Sequence, residues 1–246
     1  MKNKLTSWIR QRLCTFALAI APSLLWAQPL IEVHDTIAGA KAPQQVALTL
    51  DACTGAFDDD LIEFLIRNRI PATLFATKRW LVNNPQGVAI IKAHRDLFDV
   101  ENHGENHIPA VIGQGRRVYG IPGEPDLLHL RREVQEGAKA ITDMMGIAPR
   151  WYRGATAEYD TQALKEIKQL GFGIAGFSVN ADAGATLSQA AIQKRLSHVK
   201  GGDVIIAHMN KPASQTAEGL SSGLLALLRR GFVFVRLDQV DLRVVP

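Results

Sequence analysis

Two histidines four residues apart, in His103-Gly104-Glu105-Asn106-His107, are the first residues here that could do chemistry. Imidazoles at that spacing can meet on one side of a helical turn and close on a divalent metal, which serves as Lewis acid and water activator. Glu105 falls on a different side, so this is not the metalloprotease pattern in which two His flank a catalytic Glu on a longer helix. The bland alternative is two surface histidines. Asp51 ends the apolar run Val46-Ala47-Leu48-Thr49-Leu50. A carboxylate there is costly unless solvated, paired or on a metal, which makes it a candidate general base or ligand. Asp58, Asp59 and Asp60 are better suited to starting a helix. His208 ends Val204-Ile205-Ile206-Ala207 in the same manner, and Arg153 in Trp151-Tyr152-Arg153-Gly154 is a fixed charge able to orient a carboxylate. Each residue alone is a weak signal. Together they supply a base, a metal site, an acid and an orienting cation, enough for metal-assisted hydrolysis.

These residues need elements to position them. Apolar periodicity predicts strands over 46–50, 72–76, 97–100, 151–152, 173–179, 204–207 and 232–235. Helices are expected over 58–69, 85–93, 126–145, 161–170, 187–199 and 217–230. Asp58 to Asp60 place acids at a helix start, and Leu127, Leu130, Val134, Ala138 and Ile141 form one stripe of the longest helix. Strands apolar on both faces, alternating with helices, argue for a parallel sheet, either open or closed into a barrel. No Gly-rich dinucleotide or phosphate loop follows the first strand. Asp51, His103, Arg153, Asn180 and His208 all lie at or just beyond the C-terminal ends of predicted strands, and in a barrel those ends share the face that carries active sites. Residues 108–125, rich in Gly and Pro, read as a long surface loop of the kind that is often functional. Trp80, Tyr119, Trp151 and Tyr159 can stack on sugar rings or fill core.

Charge and composition narrow the partners. The 246 residues carry 28 Lys and Arg against 24 Asp and Glu, a formal +4. Residues 1–27 hold Lys2, Lys4, Arg10 and Arg12 and no acid, so the remainder is formally neutral and gives no support for nucleic-acid binding. The basic start, the apolar run Leu13–Trp26 and Ala27 have the layout of a secretory signal peptide, and the run is short of the roughly 20 residues needed to span a bilayer. The expected organisation is a signal peptide over 1–27, an N-terminal extension over 28–45 and a catalytic domain over 46–246. An exported protein, periplasmic or secreted, with no membrane span after cleavage follows from it. Cys14 would leave with the leader, and Cys53 alone forms no intrachain disulfide. Cys53 is either a nucleophile or a buried small apolar residue, and burial is the better reading of it in isolation. At 47% hydrophobic and 21% charged the composition is that of a globular protein.

The order of these motifs resembles the NodB-type polysaccharide deacetylases, carbohydrate esterase family 4, over about residues 46–240. Thr49-Leu50-Asp51-Ala52-Cys53 stands where that family has Thr-Phe-Asp-Asp-Gly, and Ala72-Thr73-Leu74-Phe75 matches its Ala-Thr-Phe-Phe strand. Asn102-His103-Gly104-Glu105-Asn106-His107 matches Asn-His-Thr-x-Ser-His, and Tyr152-Arg153-Gly154-Ala155 keeps only the Arg of the third motif. Ser178-Val179-Asn180-Ala181-Asp182 falls at the Asp-centred fourth motif, and Ile206-Ala207-His208 at the Leu-x-His fifth. The resemblance implies a single-domain distorted (β/α)7-type barrel with parallel strands and one divalent metal, usually zinc. It implies Asp51 as general base, oriented by Arg153, with His103 and His107 as ligands and His208 as the acid that protonates the leaving amine. Its substrate would be an N-acetylated envelope or extracellular polysaccharide such as peptidoglycan, a chitin-like polymer or poly-N-acetylglucosamine. The family's second Asp, a metal ligand, is Ala52 here. The third ligand is then Asp51 itself, a carboxylate borrowed from Asp58 or Asp59, or water. The Asp that tunes the catalytic His is either replaced by Asn180 or displaced to Asp182. Two other functions fit the same scaffold: a glycan-binding protein that has lost hydrolysis, and a hydrolase of another C–N bond or an ester.

Overall fold

The computed structural model describes residues 29–39 and 44–245. The expected leader over 1–27 and residues 28 and 40–43 of the expected extension lie outside them. Eight parallel strands form the central sheet: β1 Gln45–Ala52, β2 Ala72–Ala76, β3 Phe98–Asn102, β4 Trp151–Tyr152, β5 Gly173–Ile174, β6 Val179–Asn180, β7 Val204–His208 and β8 Val233–Val235. Their order is β5-β4-β3-β2-β1-β7-β6, with β8 paired to the first residues of β1. The helices are α1 Asp59–Arg67, α2 Lys78–Asn83, α3 Pro85–Ala93, α4 Leu127–Met145, α5 Thr161–Gln169, α6 Gln189–Ser197 and α7 Thr216–Arg229. This is the distorted (β/α)7-type barrel with parallel strands that the motif order implies.

Side chains along β1 alternate with the period of two that a strand imposes. Val46, Leu48, Leu50 and Ala52 pack outward into the layer that contains Leu61, Leu65, Leu220 and Leu224 of the surrounding helices. Ala47 instead joins the barrel interior with Phe75, Phe177, Ile206 and Val235. The same parity sends Thr49 and Asp51 inward. The two faces of β1 thus separate the protein's main apolar core from the lumen, where the polar residues collect.

Helix ends follow local chemistry. Asp58 caps α1, its Oδ1 accepting the Leu61 N–H at 3.0 Å, and Asp59 and Asp60 complement the positive end of the helix. Helix α2 is absent from the periodicity reading because it has only six residues; Thr77 caps it by accepting the Trp80 N–H at 3.0 Å. The strand expected over 173–179 is divided into β5 and β6. Between them the chain crosses from the β4 side of the barrel to the β7 side, with Ala175 N bonded to Tyr152 O and Ser178 N to Val204 O. The stretch after the expected leader is more than polar extension. Ile31–Glu32 pairs antiparallel with Ala155–Tyr159, and Asp35–Ile37 pairs antiparallel with Leu242–Val244. The 108–125 segment holds a small hairpin, Arg117–Val118 against Ile121–Pro122. No helix among the described residues is long and apolar enough to cross a membrane.

Candidate active site

Parallel pairing puts the ends of neighbouring strands level. His208 of β7 lies opposite Asp51 of β1, which lies opposite Phe75 of β2, and Asn102 at the end of β3 lies opposite Tyr152 of β4. Residues just past these ends therefore converge, and Asp51, His103, Arg153 and His208 come together as their spacing predicts.

Arg153 is fully buried, and each nitrogen of its guanidinium has a partner. Its Nη1 donates to Asp51 Oδ1 at 2.8 Å and to Thr49 Oγ1 at 2.9 Å. Nε and Nη2 donate to the carbonyls of Ala175 and Gly176, each at 3.1 Å, so the guanidinium bridges β1 to the segment between β5 and β6. Its Cζ stacks 4.2 Å above the Phe75 ring. Asp51 is only 4% exposed. Burial opposes its charge, but Arg153, His103 and His208 outweigh burial and hold the carboxyl below its ordinary value. Asp51 is thus an ionised carboxylate with Oδ1 tied to Arg153 and Oδ2 lying 3.8 Å from His103 Nε2.

His103 follows β3 directly. Its Nδ1 sits 2.6 Å from the Arg153 carbonyl, which fixes the tautomer with Nδ1 protonated and leaves Nε2 as the ligating nitrogen. His107 is brought back to it by a turn in which His107 itself adopts φ 67°, the left-handed region disfavoured for a side-chain-bearing residue. Buried Glu133 of α4 holds that turn, accepting the N–H of Asn106 at 2.9 Å and of Ile108 at 3.2 Å. The first N–H groups of α2, from Lys78 and Arg79, bond the carbonyls of Gly104 and Glu105 from the other side. Gly104, at φ 92°, is required here, because a Cβ on it would lie 2.4 Å from Glu133 Oε1.

Cys53 completes the cluster. Its Sγ is 3.4 Å from His103 Nε2, and donor atoms of Cys53, His103 and His107 all lie within 4.8 Å of one another. Burial would raise the thiol, yet His103 draws it well below its ordinary value. One sulfur and two imidazole nitrogens are donors that a divalent metal such as zinc takes, so the residues present fit the metal that the motifs imply. The borrowed carboxylate is not among them. Asp58 points its Oδ1 to the backbone of α1, whereas Asp51, tied to Arg153 through Oδ1, keeps Oδ2 on the side of His103.

His208 closes the other side. Its Nδ1 is 2.9 Å from Asp182 Oδ1, while Asp182 Oδ2 accepts the His208 N–H at 2.9 Å and the Thr216 hydroxyl at 3.1 Å. Burial lowers this imidazole, but Asp182 and Cys53 overcome it and raise it well above its ordinary value. Asp182, fully buried, is therefore the acid partner of His208. Asn180 is exposed and turned to the Ala183 N–H. A pocket of about 650 Å³ opens over these residues, with Asp51, Cys53, His107 and His208 in its base and Tyr119 and Asn210 among its walls. Of the aromatics able to stack on sugars, Trp80 and Tyr159 are core, Trp151 lines a different cavity, and Tyr119, from the 108–125 segment, is 78% exposed at the pocket rim.

Thr49, Glu133 and Thr216 are site residues that spacing alone does not reveal. Glu133 leaves one trace in the sequence: an acid next to Val134 on the buried side of an otherwise apolar stripe.

A comparison with protein families matches residues 38–175 to the polysaccharide deacetylase family. No curated protein sequence matches the chain. Solved structures share its fold. A peptidoglycan N-acetylglucosamine deacetylase is 20% identical with a TM-score of 0.68, over 84% of this chain and 90% of that one. A family 4 carbohydrate esterase of Bacillus subtilis is 17% identical with a TM-score of 0.64, over 83% of each chain. A family 4 pseudoenzyme of Bacillus anthracis is 18% identical with a TM-score of 0.64, over 80% of this chain but only 65% of its own length. With more than half its length matched by the family model and its motifs gathered at one end of the barrel, the chain belongs to the polysaccharide deacetylase family.

Proposed function

We propose that the protein is a metal-dependent hydrolase that removes N-acetyl groups from an envelope or extracellular polysaccharide. The carrying observation is the pairing of two oppositely tuned groups on neighbouring strand ends: Asp51, whose ionised form Arg153 favours, and His208, whose protonated form Asp182 favours. Groups whose environments push them toward opposite protonation states serve as base and acid of one reaction.

His103 and His107 would hold the metal, which when bound supplies Lewis-acid polarisation and charge neutralisation at the scissile carbonyl. Asp51 takes the proton of the attacking water on Oδ2, its other oxygen being fixed by Arg153. The new C–O bond forms as the carbonyl becomes tetrahedral. His208, whose Nδ1 is committed to Asp182, presents Nε2 as the proton donor to the departing nitrogen. The C–N bond then breaks, leaving acetate and a free amine. Asp51 and Arg153 are buried away from bulk water, which strengthens their interaction. The basic and apolar leader over 1–27 supports export to the periplasm or beyond, where such polymers are found.

The test is acetate release by the metal-loaded protein from N-acetylglucosamine oligomers, peptidoglycan and poly-N-acetylglucosamine. Turnover is expected on at least one, falling about 10²–10⁴-fold in Asp51→Asn. Binding of these glycans with no acetate released would replace this reading with that of a glycan-binding protein, and release only from acetate esters would make it an esterase.

A further inference from the structure

We propose that Cys53 is the third protein ligand of the metal centre, giving a Cys-His-His thiolate site selective for thiophilic divalent cations. The inference rests on the metal-dependent reading above and adds the ligand that sets which metal the site takes.

Four independent observations point to it. The first is parity. Ala52 occupies the position of the expected carboxylate ligand, but its methyl packs outward with Leu50 into the helical layer and is fully buried there. Cys53 is the next residue in step with Thr49 and Asp51, so its sulfur faces the site. Backbone bonds hold it so: Thr77 Oγ1 donates to the Cys53 carbonyl at 2.5 Å, and Met209 N donates to the Asp51 carbonyl at 3.1 Å.

The second is distance. Zinc bonds of about 2.3 Å to sulfur and about 2.0 Å to nitrogen, at a tetrahedral angle, separate the two donors by about 3.5 Å. Cys53 Sγ and His103 Nε2 are 3.4 Å apart.

The third is the backbone around His107. A non-glycine residue at a left-handed φ is strained and persists only where surroundings enforce it. Here a buried carboxylate, Glu133, is devoted to that turn, and the result is to bring the second imidazole to the sulfur. The two rings meet edge to face with centroids 4.9 Å apart.

The fourth is where the neighbouring acids are held. Asp182 is bound to His208 and Thr216, and Asp58 caps its helix. Asp51 is tied to Arg153 through Oδ1 and its Oδ2 stays 3.8 Å from His103 Nε2, farther than the 3.4 Å of Cys53 Sγ. Binding breaks its S–H bond, forms the sulfur–metal bond and releases the proton to solvent. A thiolate with two imidazoles favours zinc and cobalt over magnesium, calcium and manganese, which prefer oxygen.

The experiment is titration of the purified protein with Co²⁺, read by absorption, alongside Zn²⁺ affinity by competition with a chelator. One equivalent of Co²⁺ is expected to give a thiolate-to-cobalt charge-transfer band in the near ultraviolet, lost in Cys53→Ser. Loss of an outer-sphere partner costs 10–100-fold in metal affinity, so Cys53→Ala is expected to weaken Zn²⁺ by more than about 100-fold. Cys53→Asp is expected to restore binding without the band and to raise the relative affinity for Mn²⁺. Thermal melts of each variant separate ligand loss from unfolding. One-to-one binding that needs His107, with no charge-transfer band and unchanged affinity in Cys53→Ala, would overturn the thiolate ligand while leaving the metal-dependent reading standing. An acetyl thioester trapped on Cys53 during turnover would also overturn it, making the sulfur a nucleophile. Failure of the wild type to bind any divalent ion would remove both this inference and the function on which it rests.

Discussion

Replacing Arg153 by Met tests whether the buried Arg153–Asp51 pair organises the site. The side chain is fully buried, spends four hydrogen bonds on Asp51, Thr49 and the carbonyls of Ala175 and Gly176, and when removed leaves Asp51, at 4% exposure, without its hydrogen-bonded cation. Breaking a buried ion pair from one side costs about 3–5 kcal/mol, because the surviving charge stays desolvated. For a domain of this size each kcal/mol moves Tm by about 2–4 °C, so Arg153→Met should melt about 6–20 °C below wild type. The companion variant Asp51→Asn isolates the cause. If the cost is the stranded carboxylate, the double variant Asp51→Asn/Arg153→Met should be more stable than the sum of the single losses predicts, by about 1–3 kcal/mol. The pH dependence carries a second signature. Asp51 is held below its ordinary 3.8, so its pairing contributes stability that is full above that value and lost as pH falls through the folded-state value. In Arg153→Met burial is opposed by His103 and His208 alone, so the carboxyl rises from its wild-type position and the stability lost on acidification should shrink. Urea unfolding at several pH values measures both. Additive single losses, or an Arg153→Met variant within about 1 kcal/mol of wild type, would refute the reasoning.

Three further outcomes follow from the same structure. Asp182→Asn should lower the His208 imidazole, move the alkaline limb of the kcat/KM profile to lower pH and reduce kcat by about 10²–10⁴-fold, measured as acetate release against pH; an unmoved limb would exclude His208 as the acid. Glu101 is buried where it accepts the N–H groups of Arg150 and Trp151 at 2.7 and 2.8 Å, and burial together with Asp99 pushes it up to about 8. Its contribution is full below its ordinary 4.5 and lost as pH rises through 8, so wild-type Tm should fall over that window and Glu101→Gln should flatten the fall. Gly104→Ala forces a Cβ to 2.4 Å from Glu133 Oε1 at φ 92°, and should cost about 1–3 kcal/mol in denaturant melts while weakening metal binding by displacing the His107 turn.

Much of the fold is legible in the residues because its signals are local. Leu61, Ile62 and Leu65 recur at helical spacing behind the Asp58 cap, and the apolar runs of β1 and β7 end in single polar residues whose placement depends only on strand direction. What failed to show was short or shared between distant segments. Helix α2 is too brief to display a period, and the Ile31–Glu32 strand is defined only by its partner at Glu158–Tyr159. The 173–179 strand divides where Arg153, just past β4, bonds the carbonyls of Ala175 and Gly176.

The amino-acid sequence by itself determined that Asp51, His103, Arg153 and His208 would share one end of a parallel barrel, because each terminates or follows a strand of the same direction. The spacing of His103 and His107 allowed them to meet, but not on the expected helical turn: a bend with His107 at φ 67°, held by Glu133, brings them together. Only the tertiary structure decided which neighbours complete them. The choice of Asp182 over Asn180 depends on a 2.9 Å approach from a segment 26 residues away from His208. The entry of Cys53 into the imidazole cluster depends on the inward parity of β1 and on a turn that Glu133 holds from α4. Contacts between groups far apart in the chain are fixed by packing rather than by local preference, and packing chose a sulfur where position in the motif had pointed to Ala52.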